Sequence, residues 1–141
     1  MDVFAPYGHA IVAMALIGLF GLVMGPLVGR QKAMLGLPPG ATPQADYSAS
    51  AYRWHRAYLN LTESMGFFIA VTLAAILAGA SPFWVNLLAS VFLVARIAMT
   101  VIHVGGLGRA DMSLRSVAFG AGLFACVILA MLAIAGVFFG G

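Results

Sequence analysis

Charge and cysteine are both scarce in this sequence. Only 8% of its 141 residues are charged, 63% are hydrophobic and the mean hydropathy is +1.06. Since about a quarter of the residues of a soluble domain are charged, this composition excludes an ordinary soluble domain and predicts one integral membrane domain over residues 1–141. The single cysteine, Cys126, excludes an intrachain disulfide and a cysteine-based zinc site.

Several sequence patterns that carry chemistry are also missing. The isoelectric point near 9.5 comes from 7 Lys+Arg against 4 Asp+Glu, without any basic run, so we expect no nucleic-acid partner. The sequence has no glycine-rich phosphate loop, no metal-ligand spacing and no Ser-His-Asp arrangement, and we predict no metal site. The N-terminus lacks the positive region of a signal peptide, so we expect the first apolar run to be retained.

Long apolar runs are what the sequence does contain. Four of them have the length of ~20 residues that a bilayer requires. The predicted spans are about 9–28, 53–79, 82–105 and 115–139. We expect Gly25-Pro26 to end or kink the first span, and the proline- and glycine-rich segment 29–52 to form an interfacial loop. The predicted fold is therefore an all-α membrane protein with a bundle of four transmembrane helices.

Positive charge is concentrated around the first and third loops, and the second loop has none. Because loops rich in lysine and arginine stay in the cytoplasm, we expect both basic loops inside and both termini outside. The cations that flank these loops are Arg30, Lys32, Arg53, Arg56, Arg109 and Arg115.

A polar stripe enters the second span. Arg53, Arg56, Asn60 and Glu63 are spaced 3, 4 and 3 residues apart. At ~100° per residue they share a helix face about 80° wide. Ionisable groups at membrane depth usually face a bundle interior or a watery cavity, so this stripe is a candidate functional site.

The third span brings Arg96 and His103 to the same end of the bundle. A rise of 1.5 Å per residue places Glu63 ~15 Å and Arg96 ~13 Å above the predicted cytoplasmic ends of their helices. Because an unpaired charge is costly there, we expect a Glu63–Arg96 ion pair in a polar seam between helices two and three. Two alternatives stay open: the polar groups only hold the bundle together, or the cationic mouth binds an anion, which is either a small ligand or the anionic lipid headgroups of the inner leaflet.

A haem site is a further alternative. His55 and His103 both lie near the predicted inner face, and paired histidines bind haem in membrane bundles. His55 is off the polar stripe by ~140°, which favours an ordinary interfacial side chain. A purified protein without a Soret band would exclude haem.

Four short motifs carry a resemblance to a known family. The run from Arg56 to Glu63, RAYLNLTE, resembles the R-A-H-x-N-x-x-E signature of the MAPEG family, the membrane-associated proteins of eicosanoid and glutathione metabolism. The run 95–103, ARIAMTVIH, resembles its third-helix pattern A/G-R-x-x-H-x-x-x-Y. The run 114–116, LRS, resembles its L/I-R-S entry to helix four, and RQK at 30–32 resembles the R-x-K after its first helix.

This resemblance implies a left-handed four-helix bundle assembled as a homotrimer, with glutathione between subunits at the cytoplasmic side. It implies that arginines of the first two helices meet the carboxylates of glutathione and that Arg115 faces its thiol, where a guanidinium favours the thiolate. His103 occupies the position of the family's helix-three tyrosine and would be a secondary donor. The ligand-binding set implied by the resemblance is Arg30, Arg53, Arg56, Asn60, Glu63, Arg96 and Ser116.

The chain departs from the family patterns at several positions. His103 stands where the family has a tyrosine, and Met99 replaces the histidine of helix three. In the helix-two signature, Tyr58 replaces a histidine. Leu59 stands where several glutathione-using members carry an arginine. Two functions stay open. The first is a glutathione (or related thiol) transferase or peroxidase of the bacterial inner membrane that acts on a lipophilic small-molecule substrate. The second is a non-catalytic member, an accessory subunit of a larger membrane complex or a protein that binds membrane lipids in the cofactor groove.

Overall fold

The computed structural model describes residues 3–107 and 113–140. A short 3-10 helix, Ala5–Tyr7, is followed by four long α-helices, and the two described ranges contain no strand. The helices are α1 (Gly8–Ala33), α2 (Ser50–Leu77), α3 (Pro82–Gly105) and α4 (Ser113–Phe139). All four are long and apolar enough to cross a membrane. The protein is therefore a multi-pass membrane protein with an all-α, four-helix fold, as predicted. Arg109 and Asp111 in the third loop lie outside the described residues.

The first helix does not end at Gly25-Pro26, so of the two expected outcomes there, an end or a kink, the end is wrong. Pro26 lies inside α1, which continues to Ala33. Proline removes one backbone donor. The bilayer favours a helix that keeps its remaining backbone groups paired internally, so transmembrane helices tolerate such an interruption.

The turn between α2 and α3 follows from the local sequence. Gly79 has a positive φ of 65°, and the Ala80 N–H donates to the Ala75 carbonyl. This left-handed glycine cap satisfies carbonyl groups at the end of α2. Pro82 then begins α3 at the first helical position, where its missing N–H is harmless.

Helices α2 and α3 form the centre of the bundle, since they pack against each other and each packs against both α1 and α4. Phe68 of α2 and Phe92 of α3 are fully buried and stacked, with ring centroids 4.0 Å apart. The N-terminus is tied to the same core. The Asn86 side chain accepts from the Ala10 N–H at 2.9 Å and donates to the Pro6 carbonyl at 2.7 Å. The carbonyl and the amino group of the Asn86 side chain therefore both have hydrogen-bond partners inside an apolar span.

Candidate functional site

A cavity of about 310 Å³ lies between α2, α3, α4 and the loop before α2. We call it the arginine cavity. Six of the nine predicted site residues line it: Arg56, Asn60 and Glu63 from α2, His103 from α3, and Arg115 and Ser116 from α4. Tyr47, Met99 and Phe119 complete its wall. The polar stripe on α2 does lead into a cavity, and the first turn of α4 forms part of that cavity.

Arg115 is the most enclosed cation of the arginine cavity. The side chain is only 4% exposed, and its guanidinium lies 4.5 Å from the centre of the Tyr47 ring. Its Nε and Nη2 have no hydrogen-bond partner in the part of the chain that the structure describes. Buried donors without partners are costly and call for an explanation, such as a ligand or a water.

His103 and Asn60 join α3 to α2. The Asn60 Nδ2 lies 3.4 Å from the His103 Nε2, and the His103 Nδ1 lies 3.1 Å from the Met99 carbonyl. A carbonyl only accepts, so Nδ1 carries the hydrogen and Nε2 accepts from the Asn60 amide. Both ring nitrogens therefore have protein partners. His103 thus accepts from Asn60 in this arrangement, and its expected part as a secondary donor to the ligand stays a prediction.

The expected ion pair between Glu63 and Arg96 is wrong, because no such pair forms among the described residues. Arg96, which is 1% exposed, turns towards α4 and donates from Nη2 to the Phe119 carbonyl at 3.4 Å. Its guanidinium lies 4.9 Å from the Phe92 ring centre and 5.0 Å from the Phe119 ring centre. Glu63 is exposed and lines the arginine cavity instead. Counting residues gave the depth of both groups but not the direction in which each helix face points.

Arg96 fits beside α4 because residue 122 is a glycine. A Cβ atom built on Gly122 would lie 2.6 Å from the Arg96 Nη2, which is closer than a Cβ atom comes to a non-bonded neighbour. The absence of a side chain at this position therefore makes room for a guanidinium within the membrane span.

Arg53 and Arg30 do not line the arginine cavity. Arg53 donates to three backbone carbonyls: from Nη1 to Tyr47 at 2.9 Å and Ser48 at 2.7 Å, and from Nε to Val104 at 3.3 Å. These bonds hold the loop before α2 against the end of α3. Arg30 is exposed in the last turn of α1.

Sequence reasoning missed Tyr47 and Phe119 as site residues. The Tyr47 ring packs on the Arg115 guanidinium and lies edge-on to the Tyr52 ring, with the two ring centroids 5.0 Å apart. No periodicity links a loop residue to a helix that begins more than sixty positions later. Phe119, by contrast, follows Arg115 by four residues, and the i, i+4 rule for helix faces was enough to find it.

The two-histidine haem site is not assembled within this chain. His103 lines the arginine cavity, whereas His55 lines a separate cavity between α1, the following loop and α2. The ~140° offset of His55 from the polar stripe already indicated this separation.

Four transmembrane helices and a cavity with two arginines at one end define the class of this protein: a polytopic helical membrane protein with a polar intramembrane site. The MAPEG family model matches residues 10–135, and the chain belongs to the MAPEG family. This family includes glutathione transferases and related proteins. A search of curated proteins finds no match.

Proposed function

We propose that this protein is a glutathione (or related thiol) transferase or peroxidase that acts on lipophilic electrophiles, and that the arginine cavity holds the thiol. The observation that carries the proposal is Arg115. It is a buried cation with two donor nitrogens that lack partners in the described part of the chain, and it lines a cavity together with Arg56 and Glu63.

The arginine cavity suits the chemistry of glutathione, which carries two carboxylates, one amine and one thiol. Arg56 and Arg115 complement carboxylate or thiolate charge, and Glu63 complements the amine. Asn60 and Ser116 add an amide and a hydroxyl to the same wall. The volume of about 310 Å³ is at the lower end of the usual range for small-molecule sites.

Each residue has a distinct part in the proposed reaction. Glutathione, when bound, supplies the sulfur that bonds to the electrophile or, from two molecules, the two electrons that reduce a peroxide to an alcohol and water. Arg115 stabilises negative charge on that sulfur, because a nearby guanidinium lowers the pKa of a thiol. Arg56, Asn60 and Glu63 bind and orient the peptide part. Met99 and Phe119 form the apolar wall on which the lipophilic substrate packs.

The proposal includes assembly into a homotrimer at the bacterial inner membrane. Glu63 is exposed on the single chain inside a membrane-spanning helix and forms no ion pair with the described residues. A carboxylate facing lipid is costly. A neighbouring copy that covers this surface would remove Glu63 from lipid and close the open side of the arginine cavity.

Calorimetric titration of the full chain in lipid nanodiscs with glutathione tests the proposal. We expect Arg115→Ala and Arg56→Ala each to raise the Kd about tenfold or more, since each removes a charge-assisted hydrogen bond. Lys32→Ala is the matched control, because it removes one cation from the same end of the bundle but not from this cavity.

Two results would reject the thiol proposal. One is the absence of glutathione binding to the unmodified protein, and the other is an unchanged Kd in both arginine variants. Either result, together with co-purification of a stoichiometric membrane partner, would favour the accessory-subunit alternative.

A further inference from the structure

A second cavity, of about 680 Å³, is larger than the arginine cavity. It lies between the end of α1, the loop after it and the first turns of α2, and we call it the loop cavity. Its polar wall includes Lys32 and His55, and its apolar wall includes Val28, Leu37 and Leu59. The loop cavity and the arginine cavity share no lining residue. The proposed thiol chemistry therefore leaves the loop cavity without a role.

His55 indicates that a polar ligand atom belongs in the loop cavity. The side chain is only 7% exposed, and its Nδ1 is buried without a hydrogen-bond partner among the residues that the structure describes. Such an atom carries a desolvation penalty that a partner would offset. His55 is also a residue of the cavity wall, so a ligand bound in the loop cavity lies against it.

The positive charge at the loop cavity favours a ligand with a negatively charged head group. Lys32 lines the cavity, and none of its described lining residues is acidic. The rest of the wall is mainly aliphatic side chains, proline rings and glycine backbone. A ligand that complements both the cationic and the apolar part of the wall has a small anionic head group and an apolar body.

We propose that the loop cavity binds a monoanionic amphiphile. Its head, a carboxylate or a phosphodiester, contacts Lys32 and His55, and its hydrocarbon part lies against Val28, Leu37 and Leu59. The cavity sits where α1 and α2 reach the loop, so a lipid tail enters it from the bilayer beside exposed Leu27 and Leu35. This site is independent of the thiol site and of its chemistry.

Gly29 offers a variant that fills the loop cavity without disturbing the bundle. It lines the cavity, and a Cβ atom built on it meets no atom within 4 Å. Gly29→Leu should therefore occupy the space of the tail. Gly18→Leu is its matched control, since a Cβ at Gly18 also meets nothing within 4 Å and Gly18 lies on α1 away from the cavity.

The binding test uses the full chain in phosphatidylcholine nanodiscs, with the fluorescent long-chain carboxylate parinaric acid as the probe. We expect saturable binding that Gly29→Leu and Lys32→Gln each weaken about tenfold or more, since the first fills the space of the tail and the second removes the cation that contacts the head. Gly18→Leu and Arg30→Gln should bind as the unmodified protein does. Arg115→Ala should also bind it normally, which separates this site from the thiol site.

A second arm identifies the source of the head group. Nanodiscs that contain phosphatidylglycerol displace the probe if the natural ligand is a bilayer phospholipid, and leave its binding unchanged if it is a free long-chain carboxylate. The proposal is overturned if the probe shows no saturable binding. It is equally overturned if Gly29→Leu binds normally, or if Arg30→Gln weakens binding as much as Lys32→Gln does. Thermal unfolding of Gly29→Leu confirms that the variant is folded.

Discussion

Three arginines near one end of this bundle have three different roles, which their donor groups decide. Arg53 gives its donors to backbone carbonyls, and Arg96 lies between two phenyl rings with one carbonyl partner. Arg115 keeps two donors without partners in the described part of the chain, beside a cavity. Arginine is always charged and carries five donors, so these three side chains differ only in their surroundings.

The contact between Tyr47 and Arg115 gives a prediction at the scale of single residues. Tyr47→Leu removes the ring face that lies 4.5 Å from the guanidinium. We expect it to weaken glutathione binding roughly threefold to tenfold, the usual value of a partly buried cation–π contact. Tyr47→Phe keeps the ring and should bind normally. Titration calorimetry measures both, and equal losses in the two variants would assign the effect to the hydroxyl group instead.

Gly122 gives a second residue-scale prediction, on stability. Gly122→Ala places a Cβ 2.6 Å from the Arg96 Nη2, so the buried guanidinium has to shift. We expect a loss of about 1–3 kcal/mol in the free energy of unfolding, as for other overpacked sites. The measurement is thermal or denaturant unfolding in a mild detergent.

Gly120→Ala is the control on the same helix, because a Cβ there meets nothing within 4 Å. It should leave stability unchanged or raise it by up to about 1 kcal/mol through helix propensity. If both alanine variants behave alike, the close packing of Arg96 on Gly122 does not contribute to stability.

At the scale of elements, the loop 34–49 contributes Tyr47 to the wall of the arginine cavity, and Arg53 bonds this loop to α3. The Nη1 of Arg53 binds the Tyr47 and Ser48 carbonyls, while its Nε reaches Val104 near the end of α3. One side chain of α2 thus connects the loop to α3 and, through Tyr47, to α4. Helix α2 also separates the two cavities, since His55 and Arg56, adjacent in sequence, line different ones.

Arg53→Ala tests this connection. Without the three hydrogen bonds, residues 44–49 should lose protection, and we expect faster hydrogen–deuterium exchange there while α3 and α4 stay unchanged. Glutathione binding should weaken in parallel as Tyr47 leaves Arg115. Arg30→Ala, which removes an exposed arginine at the same end, is the control. Unchanged exchange in Arg53→Ala would show that other contacts hold the loop.

At the scale of the whole molecule, the single chain exposes polar groups on a membrane-spanning helix, which membrane proteins rarely do. Glu63 lies on the surface of a span, and the arginine cavity opens beside it. The apolar surface formed by α1 and α4 is suited to lipid, but this part of α2 is not. The exposed carboxylate therefore supports an assembly in which copies of the chain meet at the arginine cavity.

Native mass spectrometry of the protein released from nanodiscs tests the assembly, and we expect a mass of three chains. Glu63→Cys, made together with Cys126→Ala, should react more slowly with a maleimide in the assembled protein than in dissociated chains. A mass of one chain, or a fully reactive cysteine at position 63, would contradict the homotrimer.

Local patterns in the sequence predicted the four spans and the polar stripe. Hydropathy over ~20 residues reflects the thickness of the bilayer, and the spacing of Arg56, Asn60 and Glu63 reflects the helix repeat. Both are properties of a segment on its own. For that reason the α2 residues of the arginine cavity could be predicted without knowledge of any tertiary contact.

Only the tertiary structure decided what these segments meet. Residue counting placed Glu63 and Arg96 at similar depth, but Arg96 faces α4, because the rotation of a helix about its axis is set by packing against all its neighbours at once. Tyr47 lies on Arg115 in a loop that Arg53 bonds to α3, a contact between positions far apart in the chain. The sequence by itself determined the spans and which residues share a helix face. The packing of four helices determined which faces meet, because that choice depends on contacts between residues far apart in the chain.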